Sequence, residues 1–588
     1  MQVRKLWEKN GDYIAVGVTI LCSIVLISHL FGFYYDLNDD VLIKDIMAGV
    51  YTGTPEAHNM QTLYVLGAFV SFLYRLYRGV PWYGLFLCLC QFGSLYLIGV
   101  RLLRLCSKRS CKIIRLIIWT LFVWSVLPLH LAAVQYTVTC GIMAATAIFL
   151  FMTTERGLSV KMFWCRNIPS VLLVILAFQL RSEMLLLLFP LIALAGFFCW
   201  LEEEVFFRKD NFLKYGVVFG TIILGMVCSL LIDSAAYSSP GWRSFRNFFN
   251  YRTEVYDFHY DILTDGTHTK QLADLGFSES AQELLANYNY GLDESIDEHA
   301  MERLADYAKE YASRNTDIWA LLSEKTGQYR YRILHLQDGP YSGLMLFGYC
   351  MVLGAGVFEA VSYRGIRRFR FLIEAVLLMA VRTVLWLYIL LRGRDPVRIT
   401  HPLYLVEFAV LMGMVFLRKQ KARREYALYL LVGIWAAAML GMTPGSIQSA
   451  REDVSQKHSV NNDAQAIAQY CREHADSFYF EDVYSTVSFS QRMFEDVDNS
   501  VTNYDIMGGW ICKSPLYEQK LERFGMDSMA EGLLYGERIY MIMDNTLPES
   551  STDWLEAYYM EQGISVEINQ VDFVGKYYGV YQVREIGE

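Results

Sequence analysis

Residues 13–40 read YIAVGVTILCSIVLISHLFGFYYDLNDD, an apolar stretch from Tyr13 to Phe33 that runs into Tyr35-Asp36-Leu37-Asn38-Asp39-Asp40. About 20 apolar residues suffice to cross a bilayer. Arg4, Lys5 and Lys9 precede the stretch and no small-residue cleavage site follows it. It therefore reads as an uncleaved first span, not a signal peptide. Basic residues are retained on the cytoplasmic side, which puts the N-terminus inside and the Asp39-Asp40 pair outside. Adjacent carboxylates at the mouth of a membrane helix repel and lose solvation, a cost that a metal, a cation or a polar partner must offset.

The rest of the chain follows from that first span. The sequence has 588 residues, 54% hydrophobic and only 19% charged, which predicts a polytopic core carrying sizeable soluble parts. A net charge of −9 argues against a nucleic-acid partner. After the acidic run, Leu63–Leu73 is apolar but short. If it crossed, the next span (Trp82–Leu103) would deliver Arg101, Arg104, Lys108, Arg109, Lys112 and Arg115 outside, against the charge rule. Leu63–Arg78 is therefore expected to lie flat on the outer surface as an amphipathic juxtamembrane helix. Further spans are expected at 113–128, 137–153, 168–181, 184–200, 214–232, 342–361, 371–391, 403–417 and 426–442. Each inside turn is then basic: Arg156, Lys161 and Arg166; Arg208, Lys209 and Lys214; Arg364, Arg367, Arg368 and Arg370; Arg418, Lys419, Lys421, Arg423 and Arg424. The count is about eleven spans, an odd number, so the C-terminus lies outside.

This gives a polytopic α-helical membrane core, 1–442, with outer loops 34–81 and 233–341, followed by a soluble extracytoplasmic domain, 443–588. Within the latter, a helical pattern over 463–475, strands at 478–480 and 538–543, a helix over 553–562 and alternation near 566–584 suggest a small α/β domain. The 12 cysteines form no metal-spaced cluster; most read as small hydrophobes, and Cys471 and Cys512 are a candidate disulfide in the polar region.

Four groups of residues carry candidate chemistry. Asp36, Asn38, Asp39 and Asp40 read either as the acidic first turn of a helix over 41–50, with Asn38 or Asp39 as N-cap, or as a general base for an acceptor hydroxyl. A divalent metal at Asp39 and Asp40 is a further option. The segment Arg392-Gly393-Arg394-Asp395-Pro396-Val397-Arg398-Ile399-Thr400-His401 lies outside between two spans, against the charge rule, so Arg392, Arg394, Arg398 and His401 are candidate phosphate contacts; the bland alternative is a basic turn paired with acidic loops. Arg181 and Glu183 sit at an outer hairpin tip, either paired with each other or contacting phosphate or sugar. Arg382 is mid-span, with Glu374 or Glu407 as its partner. An aromatic and basic group (His130, Tyr136, Trp242, Arg246, Tyr256) could stack on sugar or belong to the interfacial belt.

In its architecture the chain resembles the GT-C superfamily of integral-membrane glycosyltransferases. The N-terminus is inside, one span leads directly to an outer loop with paired acidic residues, juxtamembrane helices follow, and a soluble domain closes the chain. Asp36, Asn38, Asp39 and Asp40 stand where the family's acidic motif stands, with His58 and Val80-Pro81-Trp82-Tyr83 behind them. The resemblance implies that Asp39 or Asp40 is the catalytic base and that a polyprenyl-phosphate-linked sugar is the donor. A glycan or lipid would be the acceptor, with transfer by single displacement.

There is no phosphate-cradling glycine loop, no HExxH and no GxSxG. Two other classes compete. A polysaccharide polymerase or ligase would hold its essential residues in the Asp233–Gly339 loop. A transporter or flippase would show repeat symmetry, and no repeat is evident.

Overall fold

The computed structural model describes residues 2–203, 207–362, 369–417, 425–487, 489–494, 499–546 and 551–587. The basic turns expected at 364–368 and 418–424 lie outside the described residues.

Helices occupy all eleven expected span positions. Among the described residues seven are long and apolar enough to cross a membrane: Asn10–Leu30, Trp82–Arg104, Val160–Leu180, Ser182–Leu201, Lys209–Ala236, Arg370–Leu391 and Val397–Phe416. The other positions hold Arg109–Val126, Tyr136–Met152, Tyr341–Ser362 and the first part of a 49-residue helix, Glu425–Glu473. Many large apolar side chains on these helices face outward, among them Leu21, Leu224, Leu372 and Val384, as lipid-facing positions do. The chain is a multi-pass membrane protein.

The short helix Tyr136–Met152 is the centre of the bundle: every one of its residues is buried. It packs against Val397–Phe416, Val160–Leu180, Trp82–Arg104 and Ser182–Leu201. Gly141 permits the closest of these approaches, because a Cβ there would sit 2.3 Å from Cβ of Pro402. A second internal tie is ionic. Arg382 Nε donates to Glu407 Oε2 at 2.9 Å, and Tyr349 adds a 2.6 Å bond to the same carboxylate. Glu407 is thus the partner of the mid-span arginine, while Glu374 pairs with Arg370.

Tyr64–Leu76 is a helix, as expected, with one buried face (Leu66, Val70, Tyr74) and one exposed apolar face (Phe69, Phe72, Leu76). Basic turns from distant parts of the chain converge: Arg101 donates to the Thr153 carbonyl, Lys214 to that of Arg156, and Arg156 pairs with Glu202 and bonds the Leu417 carbonyl.

The soluble part has a five-stranded sheet. Phe478–Glu481 pairs in parallel with Tyr504–Ile506 on one side and Ile539–Asp544 on the other; Tyr578–Glu585 and Val566–Val574 then continue it antiparallel. The polar segment after Ala236 and the one that follows the long helix are one body. Phe245, Phe248, Leu284, Leu292 and Leu304 from the loop after Ala236 share a hydrophobic core with Phe478, Phe480, Leu521, Met541 and Trp554. Asn289 Nδ2 donates to Asp482 at 2.7 Å and the Gly291 amide to the Met507 carbonyl at 2.9 Å across that seam. The boundary expected at 443 lies inside the continuous helix Glu425–Glu473, which at about 1.5 Å per residue runs roughly 74 Å. Pro444 within it deletes one helix hydrogen bond without ending the helix. Cys471 and Cys512 are both buried free thiols in different clusters, so the candidate disulfide is not formed.

Candidate active site at the acidic helix

The acidic run forms the start of a helix, Asn38–Ala48, one turn earlier than expected. Its N-cap is Leu37 and no side chain caps it, so neither Asn38 nor Asp39 serves as the cap. Both aspartates instead lie in the first turn, where the helix dipole favours negative charge. The helix is fixed from behind by a small three-stranded sheet. Tyr34–Tyr35 pairs in parallel with Ala133–Val134 and antiparallel with Gln491–Arg492 from the soluble body.

The four polar residues of the run have different fates. Asp36 pairs with Lys457 of the long helix at 2.9 Å, and Lys457 also holds Asp453 at 3.2 Å. Asp40 is fully buried. Its Oδ1 accepts from the Tyr83 hydroxyl at 2.9 Å, and its Oδ2 has no hydrogen-bond partner among the described residues. Burial pushes its carboxyl well above the ordinary range, the Tyr83 bond opposes this, and the charges of Asp39 and Asp36 add to the rise. Asp39 is half-buried and has neither hydrogen bond nor ion pair among the described residues. Asn38 is likewise unpartnered and lies on another face of the helix.

Around Asp39 the fold gathers residues from four further segments. The Tyr136 hydroxyl, at the outer start of the central helix, lies within electrostatic reach of Arg181, Asp39, Asp40 and Arg398. Arg181 sits at the junction of Val160–Leu180 and Ser182–Leu201, its guanidinium 5.2 Å from the Tyr136 ring centroid. The Gln61 side-chain carbonyl accepts from Arg181 at 2.6 Å and from Tyr136 at 3.1 Å. Glu183 is 3.3 Å from Arg181 and mostly exposed. Burial opposes the Arg181 charge, but Tyr136, Glu183, Asp39 and Asp257 outweigh it, so its pKa stands above the usual value.

The basic turn divides similarly. Arg394 is held by Asp257 at 2.9 Å, and Arg392 stacks 4.5 Å over Phe258. Arg398 has no hydrogen-bond or ion-pair partner among the described residues and faces the Tyr136 neighbourhood. His401 is 2.7 Å from His130 and stacks on Tyr341. Burial depresses His130 to about 4, so its ring is neutral near pH 7. His58 is not brought to Asp39. It stacks on Trp242 with centroids 4.6 Å apart, and its nitrogens meet Glu56 at 2.8 Å and the Ala236 carbonyl at 3.3 Å.

Among the described residues no group of three or more His, Cys, Asp or Glu could hold a metal ion. Asp40 Oδ1 is engaged by the Tyr83 hydroxyl. Sequence reading missed Gln61 and Asp257, single polar residues with no pattern around them. Tyr83 was visible only as part of Val80-Pro81-Trp82-Tyr83.

The fold defines a multi-pass membrane protein in which Gln491–Arg492 of the soluble body and Lys457 of the long helix brace the strand and residue just ahead of the acidic helix, with Arg181 near its Asp39. No family model and no curated protein matches the sequence. Among solved structures the chain is similar to ArnT from Cupriavidus metallidurans, a crystal structure bound to undecaprenyl phosphate. The identity is 12%, over 97% of this chain and 98% of that one, with a TM-score of 0.41. A likeness at that level carries no argument about substrate or site.

Proposed function

We propose that this protein is a GT-C-type membrane glycosyltransferase that moves a sugar from polyprenyl phosphate to a hydroxyl acceptor outside the cytoplasm, with Asp39 as base. One observation carries this reading: a half-buried carboxylate with no hydrogen-bond or ion-pair partner among the described residues lies, together with Arg181 and the equally unpartnered Arg398, within electrostatic reach of the Tyr136 hydroxyl. In a folded protein, free charges of opposite sign in one partly buried region are costly to keep apart from solvent unless a ligand uses them.

The reaction follows from that geometry. Asp39 accepts the proton of the acceptor hydroxyl as its oxygen bonds to the anomeric carbon. The bond from that carbon to the phosphate oxygen breaks, and its electron pair leaves with the polyprenyl phosphate. Arg181 and Arg398 take up the charge that develops there. The tilted Tyr136 ring and Gln61 hold Arg181 in place. Asp40 is not free to serve as base, because its carboxyl is buried and bonded to Tyr83. The convergence of basic turns supports the cytoplasmic placement of that side, and with it an extracytoplasmic soluble body.

The test is transfer from a panel of polyprenyl-phosphate sugars in proteoliposomes. Asp39→Asn should lower the rate by about 10²–10⁴-fold, the usual worth of a general base, with the thermal midpoint unchanged. Full transfer by Asp39→Asn, with activity lost instead on changing exposed residues of the helix Pro240–Phe258, would mean a polymerase- or ligase-like enzyme working from that loop.

A further inference from the structure

A cavity of about 660 Å³ among the described residues does not hold Asp39. It lies between the acidic helix, the long helix and the edge of the soluble sheet. That volume is within the roughly 300–1,000 Å³ of ligand pockets. Asn38, Val41, Leu42 and Asp45 line it from the acidic helix. With 3.6 residues per turn, positions 38, 41, 42 and 45 share one face, and Asp39 and Asp40 lie on others. The cavity and Asp39 therefore sit on different faces of one helix, about 110° apart around its axis.

The walls are polar and carry charges of both signs, the cations Lys44, Arg472, Arg492 and Lys520 against the carboxylates Asp45, Glu481 and Asp505. Lys44 is bound to Asp45 at 2.8 Å and to Gln491 at 2.6 Å. Lys520 donates to the Tyr504 carbonyl at 2.6 Å, lies 3.7 Å from Asp505, and sits over the Tyr51 ring. Asp505 accepts from the Tyr51 hydroxyl at 2.6 Å. Neutral groups lie among them. Asn461, on the long helix, lines the cavity at only 2% exposure, yet its amide has no hydrogen-bond partner among the described residues. An unpartnered amide facing a cavity is left for a ligand to bond. The Asn38 amide is also unpartnered. Phe494 keeps a largely exposed ring at the cavity and has a left-handed φ of +62°, a backbone state rare for a bulky side chain and held by its surroundings at a cost.

We propose that this cavity binds a neutral oligosaccharide, with the Asn461 and Asn38 amides bonding its hydroxyls and Phe494 stacking on a sugar face. Amides that both donate and accept suit hydroxyls, an exposed aromatic suits the apolar face of a pyranose, and walls of interleaved, nearly balanced charge favour a ligand with no strong charge of its own. The site stands whether or not Asp39 is a base, because it uses another face of the helix. Its occupant would touch the segment 491–494 that pairs with Tyr34–Tyr35.

The experiment is saturation-transfer NMR on the full chain in nanodiscs. The probes are neutral hexasaccharides of glucose, mannose, galactose and N-acetylglucosamine, with hexagalacturonate as a charged control. At least one neutral probe should give ring-proton signals, and Asn461→Leu and Phe494→Ala should each weaken its apparent affinity about tenfold, the loss of one good contact. Leu42→Trp, which fills the cavity from its helix wall, should abolish the signal. Asp39→Asn should leave binding unchanged. Saturation transfer to hexagalacturonate alone, to no neutral probe at millimolar concentration, or at wild-type strength in both Asn461→Leu and Leu42→Trp would overturn the proposal.

Discussion

The two aspartates can be separated by making only one of them neutral. Asp40 is 0% exposed, keeps one hydrogen bond and leaves one oxygen without a partner among the described residues. Its carboxyl is raised well above 3.8, first by burial. The folded state then holds this proton at pH values where the unfolded chain has released it. Asp40 therefore favours folding fully only below about pH 4, and stability falls as pH rises toward the folded value, by about 1.4 kcal/mol per unit. Asp40→Asn removes this slope while its amide oxygen still accepts from Tyr83. The difference between variant and wild type cancels every other titrating group. Thermal unfolding in nanodiscs from pH 4.5 to 7.5 should show the variant gaining on the wild type as pH rises above the ordinary carboxylate range, by no more than about 1.4 kcal/mol per unit, and levelling off once the folded carboxyl ionises. Transfer activity should persist, because Asp39 is untouched. Parallel unfolding curves across that range, or an Asp40→Asn protein as inactive as Asp39→Asn, would refute the assignment of Asp40 as a buried positioning residue.

Three further substitutions test the frame around the site. Arg382→Met leaves Glu407 charged and buried and should cost about 3–5 kcal/mol in thermal or denaturant unfolding, whereas Arg382→Met with Glu407→Leu should recover most of it. Gly141→Val drives a side chain into Pro402, 2.3 Å from where its Cβ would sit, and should destabilise by about 1–3 kcal/mol or more, read as a lower unfolding midpoint. Lys457→Met removes the cation that holds both Asp36 and Asp453 and should cost about 1–2 kcal/mol while lowering transfer, since Asp36 anchors the strand ahead of the acidic helix.

Much of the bundle was legible because span and turn are written locally. Long apolar runs must close their own hydrogen bonds in lipid, and basic turns mark one side. A helix over Tyr64–Leu76 was legible in the same way, whereas for Arg382 the sequence left Glu374 and Glu407 as alternatives. The site was legible in part. Asp39, Arg181 and Arg398 carried a charge signal, but nothing in the sequence distinguished Asp39 from Asp40, or Arg398 from Arg394. Those distinctions depend on Tyr83 and Asp257, which are 43 residues from Asp40 and 137 from Arg394 along the chain. His58 has the composition of a ligand and the surroundings of a packed ring. The two-residue strands Tyr34–Tyr35, Ala133–Val134 and Gln491–Arg492 are too short for any alternation to reveal.

Those short strands explain why the soluble body matters to a site it does not line. Tyr34 and Tyr35 are 0% and 1% exposed, so their backbone groups have no water to turn to and must be paired within the protein. Ala133–Val134 pairs one edge, and the other is free to accept only a strand from outside the membrane bundle. Gln491–Arg492 supplies it, Arg492 Nε bonds the Tyr34 hydroxyl at 2.7 Å, and the Met493 amide bonds the Phe33 carbonyl at 2.7 Å. Lys457 adds a charged tie to Asp36 one residue before the N-cap of the acidic helix. The direction in which Asp39 points is thus set by three chain segments that are hundreds of residues apart. A carboxylate kept free of partners must be held away from the cations near it by its backbone alone, and this sheet is the backbone restraint that does so.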